Sequence, residues 1–350
     1  MTLLAELSKR WAELAEREPK LRIRDAAEKL GVSEGQLLAT KIGDTVVPLK
    51  VDDWVALLSD CRALGEVMAL TRNEHVVIEK HGLYQNVEGS ERMGMVLDEG
   101  IDLRLFFHRW RHAFAVESDS RKGRLRSLQF FDGAGEAIHK IYVFENGEVQ
   151  AFNALVSRYR GETAPEFEPA TELAPVEERP DSEIDVAALR KAWSALDNTH
   201  DFYPMLNQQG VSRLQAMRLA GDDFAYPVAA DAYAELIRRL ASEEIPFMAF
   251  VGNPGCIQIH SGQAKKIVDL ENWFNIFDPD FNLHVRTDGM DQSWAVRKPT
   301  AQHGDIWSLE SFDPAKQNVL SLFGVRKRDH ADSPRWMADF ERVLKEIGRE

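Results

Sequence analysis

The sequence predicts an α+β protein made by internal duplication, each half running helices first and a large antiparallel β-sheet after. Three observations predict it. Apolar residues recur at helical spacing early in each half, and short Val-, Ile- and Phe-rich runs fill the remainder. The two halves also match one another in collinear order.

Along the chain, Leu3, Leu4, Leu7, Trp11 and Leu14 recur every three or four residues and mark an opening helix. Residues 24–43 (RDAAEKLGVSEGQLLATKIG) follow as two short helices joined at Gly31-Val32-Ser33, with Ser33 suited to an N-cap. The runs VVIEKHG, LRLFFHRW, HAFAVES, LRSLQFFD and HKIYVF, broken by Gly, Asn and Asp, read as a strand meander. Val186, Leu189, Trp193 and Leu196 then restart the helical pattern.

The second half repeats the first. At a constant offset MALTRNEHVVIEKHG (68–82) falls on MAFVGNPGCIQIHSG (248–262), IDLRLF (101–106) on FNLHVR (281–286), and FAV (114–116) on WAV (294–296). SLQFFD (127–132) pairs with SLESFD (308–313), and LGVSEGQ (30–36) with QGVSRLQ (209–215). Chance does not readily produce the whole series. Between the copies, residues 161–186 hold nine acids against Arg179 alone, together with Pro165, Pro169, Pro175 and Pro180. That composition predicts an extended linker. The expected organisation is an N-terminal repeat over 1–160, a linker over 161–186 and a C-terminal repeat over 187–350.

A net charge of −14 argues against a general nucleic-acid or anionic-membrane binder. No apolar run reaches the ~20 residues of a membrane span, and MTLLAELSKRW lacks the pattern of a secretory signal. Cys61 and Cys256 do not make a disulfide framework or a zinc site by themselves. A reduced, cytoplasmic protein is expected.

Among motifs, 24–43 resembles a DNA-binding helix-turn-helix, but its second helix offers only Lys41 as a base, so a structural hairpin is the better reading. His108 and His112 are four apart, a metal-ligand spacing on a helix, yet their surroundings are strand-like and favour surface histidines. The other histidines, except His200, sit singly. His200 continues the stripe of Trp193 and Leu196 and is expected to face the protein, and Asp197, Asn198 and Thr199 are cap residues that break the helix before it. Pro204 is expected to kink the helix that follows.

Alternation in IDLRLFF puts Arg104 and Phe106 on one face and Leu103, Leu105 and Phe107 on the other. A charge in so apolar a strand has a partner, lines a pocket or lies on an exposed edge of the sheet, and the alternation by itself leaves these open for Arg104. Arg213, Arg297 and Lys298 stand where the first copy has Glu34, Glu117 and Ser118. Cations gathered in one copy of an acidic protein point to a small anionic ligand.

Several blocks together resemble the HemS/ChuS/PhuS family of cytoplasmic haem-utilisation proteins of Gram-negative bacteria. They are GEVMALTRNEHVV (65–77), IDLRLFFHRW (101–110), WSALDNTHDFY (193–203), VSRLQAMRLAGDD (211–223) and WAVRKPT through SLESFD (294–313). The resemblance spans nearly the whole chain. It implies haem held in a cleft between the halves, with His200 as the iron ligand and Arg104 facing the iron from the other side. It also implies Phe106 packed on the porphyrin and Arg213 and Lys298 near the propionates, with Arg297 beside them. The chemistry suits these types: an imidazole for iron, cations for two carboxylates, and a permanently charged donor opposite the ligand. The implied activity is haem delivery to an acceptor protein or haem breakdown with an outside electron donor, since no dinucleotide fingerprint is visible. The alternatives weighed are a haem-sensing DNA-binding regulator using 24–43 and a metal-dependent hydrolase using His108 and His112.

Overall fold

The computed structural model describes residues 3–120, 123–144, 147–169, 178–326 and 331–348, so His330 and linker residues 170–177 lie outside the described residues. The chain forms two units. One comprises residues 1–72, 78–172 and 252–258, the other 73–77, 173–251 and 259–350. Each thus takes in a short stretch from the far half of the sequence, which no local pattern announced.

The first unit opens with α1 (Leu3–Arg17), α2 (Ile23–Leu30) and α3 (Glu34–Ala39), then β1 (Val46–Leu49) and α4 (Trp54–Asp60). Strands β2 (Val67–Arg72), β3 (Val76–Gly82), β4 (Val87–Gly89), β5 (Gly94–Leu97) and β6 (Asp102–Leu105) follow. Then come β7 (His112–Ser120), β8 (Gly123–Phe131), β9 (Ala137–Val143) and α5 (Val149–Tyr159). The strands run β1-β7-β8-β9-β2-β3, with β6-β5-β4 as a second run, and β1–β7, β7–β8, β8–β9, β9–β2, β6–β5 and β5–β4 pair antiparallel.

The second unit repeats this list. Helices α6 (Val186–Ser194), α7 (Phe202–Gln209) and α8 (Arg213–Ala220) lead into β10 (Ala225–Val228) and α9 (Ala232–Ser242). Strands β11 (Phe247–Asn253), β12 (Cys256–Gly262), β13 (Ile267–Leu270), β14 (Trp273–Phe277) and β15 (Phe281–Arg286) follow. Then come β16 (Gln292–Thr300), β17 (Gly304–Phe312), β18 (Asn318–Gly324) and α10 (Ser333–Ile347). The order β10-β16-β17-β18-β11-β12, with β15-β14-β13, is the first unit's order element for element. Even the irregularity repeats, since the register slips at Phe130/Phe131 between β8 and β9 and at Ser311/Phe312 between β17 and β18. The duplicated α+β fold is what the sequence predicts.

Local chemistry explains the shared turns. Gly31 and Gly210 end α2 and α7 at φ of 67° and 60°, a left-handed conformation that favours glycine. Ser33 and Ser212 then cap the next helix, accepting the backbone N–H of Gln36 and Gln215.

The acidic segment is more anchored than its composition implied. Its first flank joins the first unit through Gly161 N–H to the Pro48 carbonyl and Glu168 N–H to the Gly133 carbonyl, both 2.8 Å. In the second unit Glu178 accepts from Ser212, Lys316 and Arg218, and Asp181 from Arg218. Burial raises the Glu178 carboxyl, yet these donors hold it below the usual carboxylate range. Cations on the units offset the acids, so these described flanks are docked rather than free.

Two asparagines at matching positions hold the short stretches. Asn253 donates to the carbonyls of Arg72 and Ile138 at 2.8 and 2.9 Å and accepts from the N–H groups of Gly255 and Cys256 at 3.0 Å. Asn73 does likewise in the second unit, donating to Val319 and accepting from His75 and Val76. Asn253→Ala leaves two carbonyls and two N–H groups without these partners and is expected to cost about 3 kcal/mol in chemical denaturation. A loss under about 0.5 kcal/mol, the level of a surface substitution, would refute the anchoring role.

Candidate functional site

The turn carrying His200 is one place where the copies diverge. A 3₁₀ turn, Thr199–Asp201, precedes α7, and among the described residues the link between α1 and α2 has no counterpart. Asn198 Oδ1 accepts the His200 N–H at 2.8 Å, and Asp201 Oδ2 accepts the Asn198 N–H at 3.1 Å. This reciprocal cap restarts the chain after α6 has ended at Ser194. The phase of the Trp193 stripe is therefore lost, and His200 is exposed, which corrects the expectation that it faces the protein. Among the described residues its imidazole has no hydrogen-bond partner.

Pro204 does not kink α7. The helix begins at Phe202, so Pro204 lies in the first turn, where backbone N–H groups have no intrahelical acceptor to lose.

Phe202, two residues past His200, anchors the turn. Its ring is buried, meets Trp193 edge-on at 4.7 Å, and lies 5.4 Å from the Arg213 guanidinium and 4.7 Å from Lys298 Nζ. Both cations hold one carboxylate. Arg213 Nε donates to Glu310 Oε2 at 2.6 Å, and Lys298 Nζ donates to Glu310 Oε1 at 2.5 Å. Burial opposes charge on both Lys298 and Glu310: it pulls the ammonium below its usual range, while Arg213 and Lys298 together override it and drive the carboxyl far down. The sequence marked Arg213, Arg297 and Lys298 as cations gathered for an anionic ligand. The structure places Lys298 wholly inside this cluster and leaves only Arg213 partly exposed.

Arg297 is committed elsewhere, to Asp305 at 2.8 Å and the Asp223 carbonyl at 2.9 Å. Sequence reasoning missed Arg326. Its Nη2 is 3.4 Å from Thr199 Oγ1, beside His200, while its Nη1 is buried with no partner among the described residues. Burial pulls its guanidinium below the usual range. The Arg326-Lys327-Arg328 run after an apolar strand was the available signal.

In the first unit the alternation is realised: Leu103, Leu105 and Phe107 are buried, while Arg104 and Phe106 are only partly so. Arg104 does have a partner, pairing with Asp102 on its own strand and donating to the Leu103 carbonyl at 3.2 Å. Burial raises the Asp102 carboxyl against the pull of Arg104. Phe106 is placed by its N–H, which donates to the Gly255 carbonyl at 3.0 Å, as does Trp110 Nε1 at 2.9 Å. Phe107 presses on Gly94, where an added Cβ would come within 2.6 Å of its ring.

The competing motifs dissolve in this setting. Five of the six residues of α3 are buried, and Lys41 lies over the Trp11 ring at 5.2 Å, so 24–43 is a hairpin without a groove-reading face. His108 lies in a 3₁₀ turn and His112 at the start of β7, not on one helix. Among the described residues no group of three or more His, Cys, Asp or Glu is arranged to hold a metal ion. No helix there is long and apolar enough to cross a membrane.

Comparison with known proteins agrees with the repeated architecture. The profile of the Haemin-degrading HemS.ChuX domain matches the chain twice, over residues 31–159 and 210–342. The hemin transport protein HmuS of Yersinia pestis is 33% identical over 343 residues, 97% of this chain and 98% of that protein. The crystal structure of holo-PhuS, a heme-binding protein from Pseudomonas aeruginosa, superposes with a TM-score of 0.91 at 41% identity, covering 98% of this chain and 99% of that one. The heme degrading enzyme ChuS of Escherichia coli O157:H7 superposes with a TM-score of 0.86 at 29% identity, covering 96% and 99%. Two matches to one domain, over two units with one strand order, place the chain in the haemin-degrading HemS/ChuX family.

Proposed function

We propose that this protein binds haem in the cytoplasm and serves the acquisition of haem iron, with His200 as the axial ligand. The observation that carries the reading is an exposed imidazole without a partner on a turn fixed by a reciprocal cap and a caged Phe202. Neutral imidazole is a suitable ligand for haem iron. The buried, partnerless Nη1 of Arg326 beside the same turn suits a carboxylate, and Arg213 has an exposed edge toward solvent. These two, with the Lys298 charge behind them, are the proposed partners of the propionates. Arg104 and Phe106 are proposed to serve haem as a hydrogen-bond donor near the iron and an apolar face for the porphyrin. Asp102 would hold the guanidinium in place.

Relatives named for hemin transport, haem binding and haem degradation support this reading. Haem is then cargo for an acceptor protein, or the substrate of a breakdown that needs an electron donor. The family's description favours breakdown. Bound haem would supply the redox-active iron, while the protein's own residues bind and orient it.

Titration with hemin is expected to give a Soret band that saturates at a defined stoichiometry, with Kd at or below about 1 μM. A chain that gives no saturable band sinks the reading. An electron donor and oxygen, with catalase present, then separate the activities. A biliverdin-like product marks breakdown, and intact haem recovered on an acceptor marks delivery.

A further inference from the structure

The carboxylate of Glu310 takes no part in the roles above, although it lies at the centre of the cations behind the His200 turn. We propose that Glu310 is a positioning residue for His200, acting through Arg213, Lys298 and Phe202; this rests on the haem-binding reading.

The geometry supplies a continuous path. Glu310 is fully buried on β17, accepting from Arg213 on α8 and from Lys298 on β16, with Ser308 Oγ donating to it at 3.0 Å. Both cations face the same Phe202 ring. Phe202 is the first residue of α7 and follows the 3₁₀ turn that carries His200. Two cations against one ring would repel each other strongly at this burial. The shared carboxylate removes that repulsion and sets the distance between them. It thereby fixes the two charged walls of the Phe202 cage and, through the ring, the start of α7.

The chain contains its own control. At the place of Glu310 in the repeated SLxxFD block, the first copy has Gln129, and Glu34 and Ser118 stand for Arg213 and Lys298. Among the described residues Gln129 donates only to Ser127 Oγ, at 3.0 Å, yet the strand order and the register slip are the same. The fold therefore accepts an uncharged amide at this position. The carboxylate with its two cations occurs in the copy that also carries the His200 turn.

Glu310→Gln tests the proposal. Hemin affinity is expected to fall about tenfold, with the single ferric Soret species replaced by a mixture. The discriminating background is His200→Gly with free imidazole as the axial ligand, since that ligand has no tether to α7. There, Glu310→Gln is expected to change hemin affinity less than twofold. An equal loss in both backgrounds would mean that Glu310 acts on the porphyrin or on folding at large, and would overturn the proposal. No loss in the otherwise native chain overturns it as well.

Phe202→Leu keeps the Glu310 cluster but removes the ring, and so carries the test if Glu310→Gln does not fold. It is expected to reproduce both results, and an unchanged Soret titration would overturn the path through Phe202. If the unsubstituted protein itself gives no saturable Soret band, the haem reading fails first and this inference with it. A normal band with inert Glu310→Gln removes only the inference.

Discussion

His200→Ala is expected to weaken hemin binding by at least about 100-fold while leaving the fold intact. Losing even a group that supports a metal ligand commonly costs 10- to 100-fold in affinity, and the ligand itself is worth at least as much. The loss corresponds to about 3 kcal/mol at about 1.4 kcal/mol per tenfold. The stability half of the expectation comes from geometry. The imidazole is exposed and makes no hydrogen bond among the described residues, and the bonds that shape the turn come from Asn198, Asp201 and the His200 backbone. Such a surface substitution changes stability by about 0.5 kcal/mol or less. The check is a hemin titration beside a chemical denaturation curve of the same variant. Near-native hemin affinity would remove His200 as the ligand. A large fall in apoprotein stability would show that the turn depends on the ring.

A second large effect lies in the first unit, away from the candidate ligand. His139 is buried there, its ring stacked nearly parallel to Phe130. Nδ1 is 2.8 Å from Thr71 Oγ1, and Nε2 is 2.5 Å from Tyr84 Oη. Burial raises Tyr84 well above its usual value, so its hydroxyl stays protonated beside Nε2, and both ring nitrogens have a hydroxyl partner. Thr71 Oγ1 is also 3.5 Å from the Cys256 thiol, which burial raises to about 12, and the Cys61 thiol is raised as well. All these neighbours are neutral across the acid range, so none supplies a counter-charge, and burial outweighs the backbone hydrogen bond at Leu70 that favours the imidazolium.

Burial accordingly lowers His139 from 6.5 to about 3. The unfolded chain takes up this proton as pH falls through 6.5, whereas the folded chain does so only near 3. Stability therefore drops progressively across that window and levels off below it. At about 1.4 kcal/mol per pH unit, the full loss is about 5 kcal/mol. Unfolding curves from pH 7.5 down to pH 4 capture about 3.5 kcal/mol of it, with His139→Gln as the comparison. The variant should start lower at pH 7.5 and show the shallower slope, because the carboxylates that titrate near the bottom of the window are common to both proteins. Identical slopes would mean that His139 is not held neutral.

Much of this architecture was legible because its causes are short-ranged. Three- and four-residue periodicity marks α1 and α6, period-two alternation orients Leu103, Arg104 and Leu105, and Gly-Val-Ser writes the same turn twice. Duplication then made the order of strands in one copy a guide to the other. His200 and Arg104 were found as unusual residues in apolar settings, but their surroundings were not. The exposure of His200 depends on where α6 stops, and a stripe of apolar residues does not state its own end. Glu310 drew no notice, since an acid in an acidic chain carries no local mark of the cations that meet it from other elements. The exchanged stretches, 73–77 and 252–258, carry no compositional mark at all.

What the sequence determined alone was the α+β class, the two copies and the family to which those copies belong. Only the tertiary structure decided which charges are free and which are spent. Arg213 finds Glu310 across 97 positions of chain, and Lys140 finds Glu34 across 106. Spacing tells which neighbours share a face, because backbone geometry repeats every few residues. It holds no record of which distant side chain will meet that face. A buried charge has to find its counter-ion there, because leaving it unpaired costs several kcal/mol.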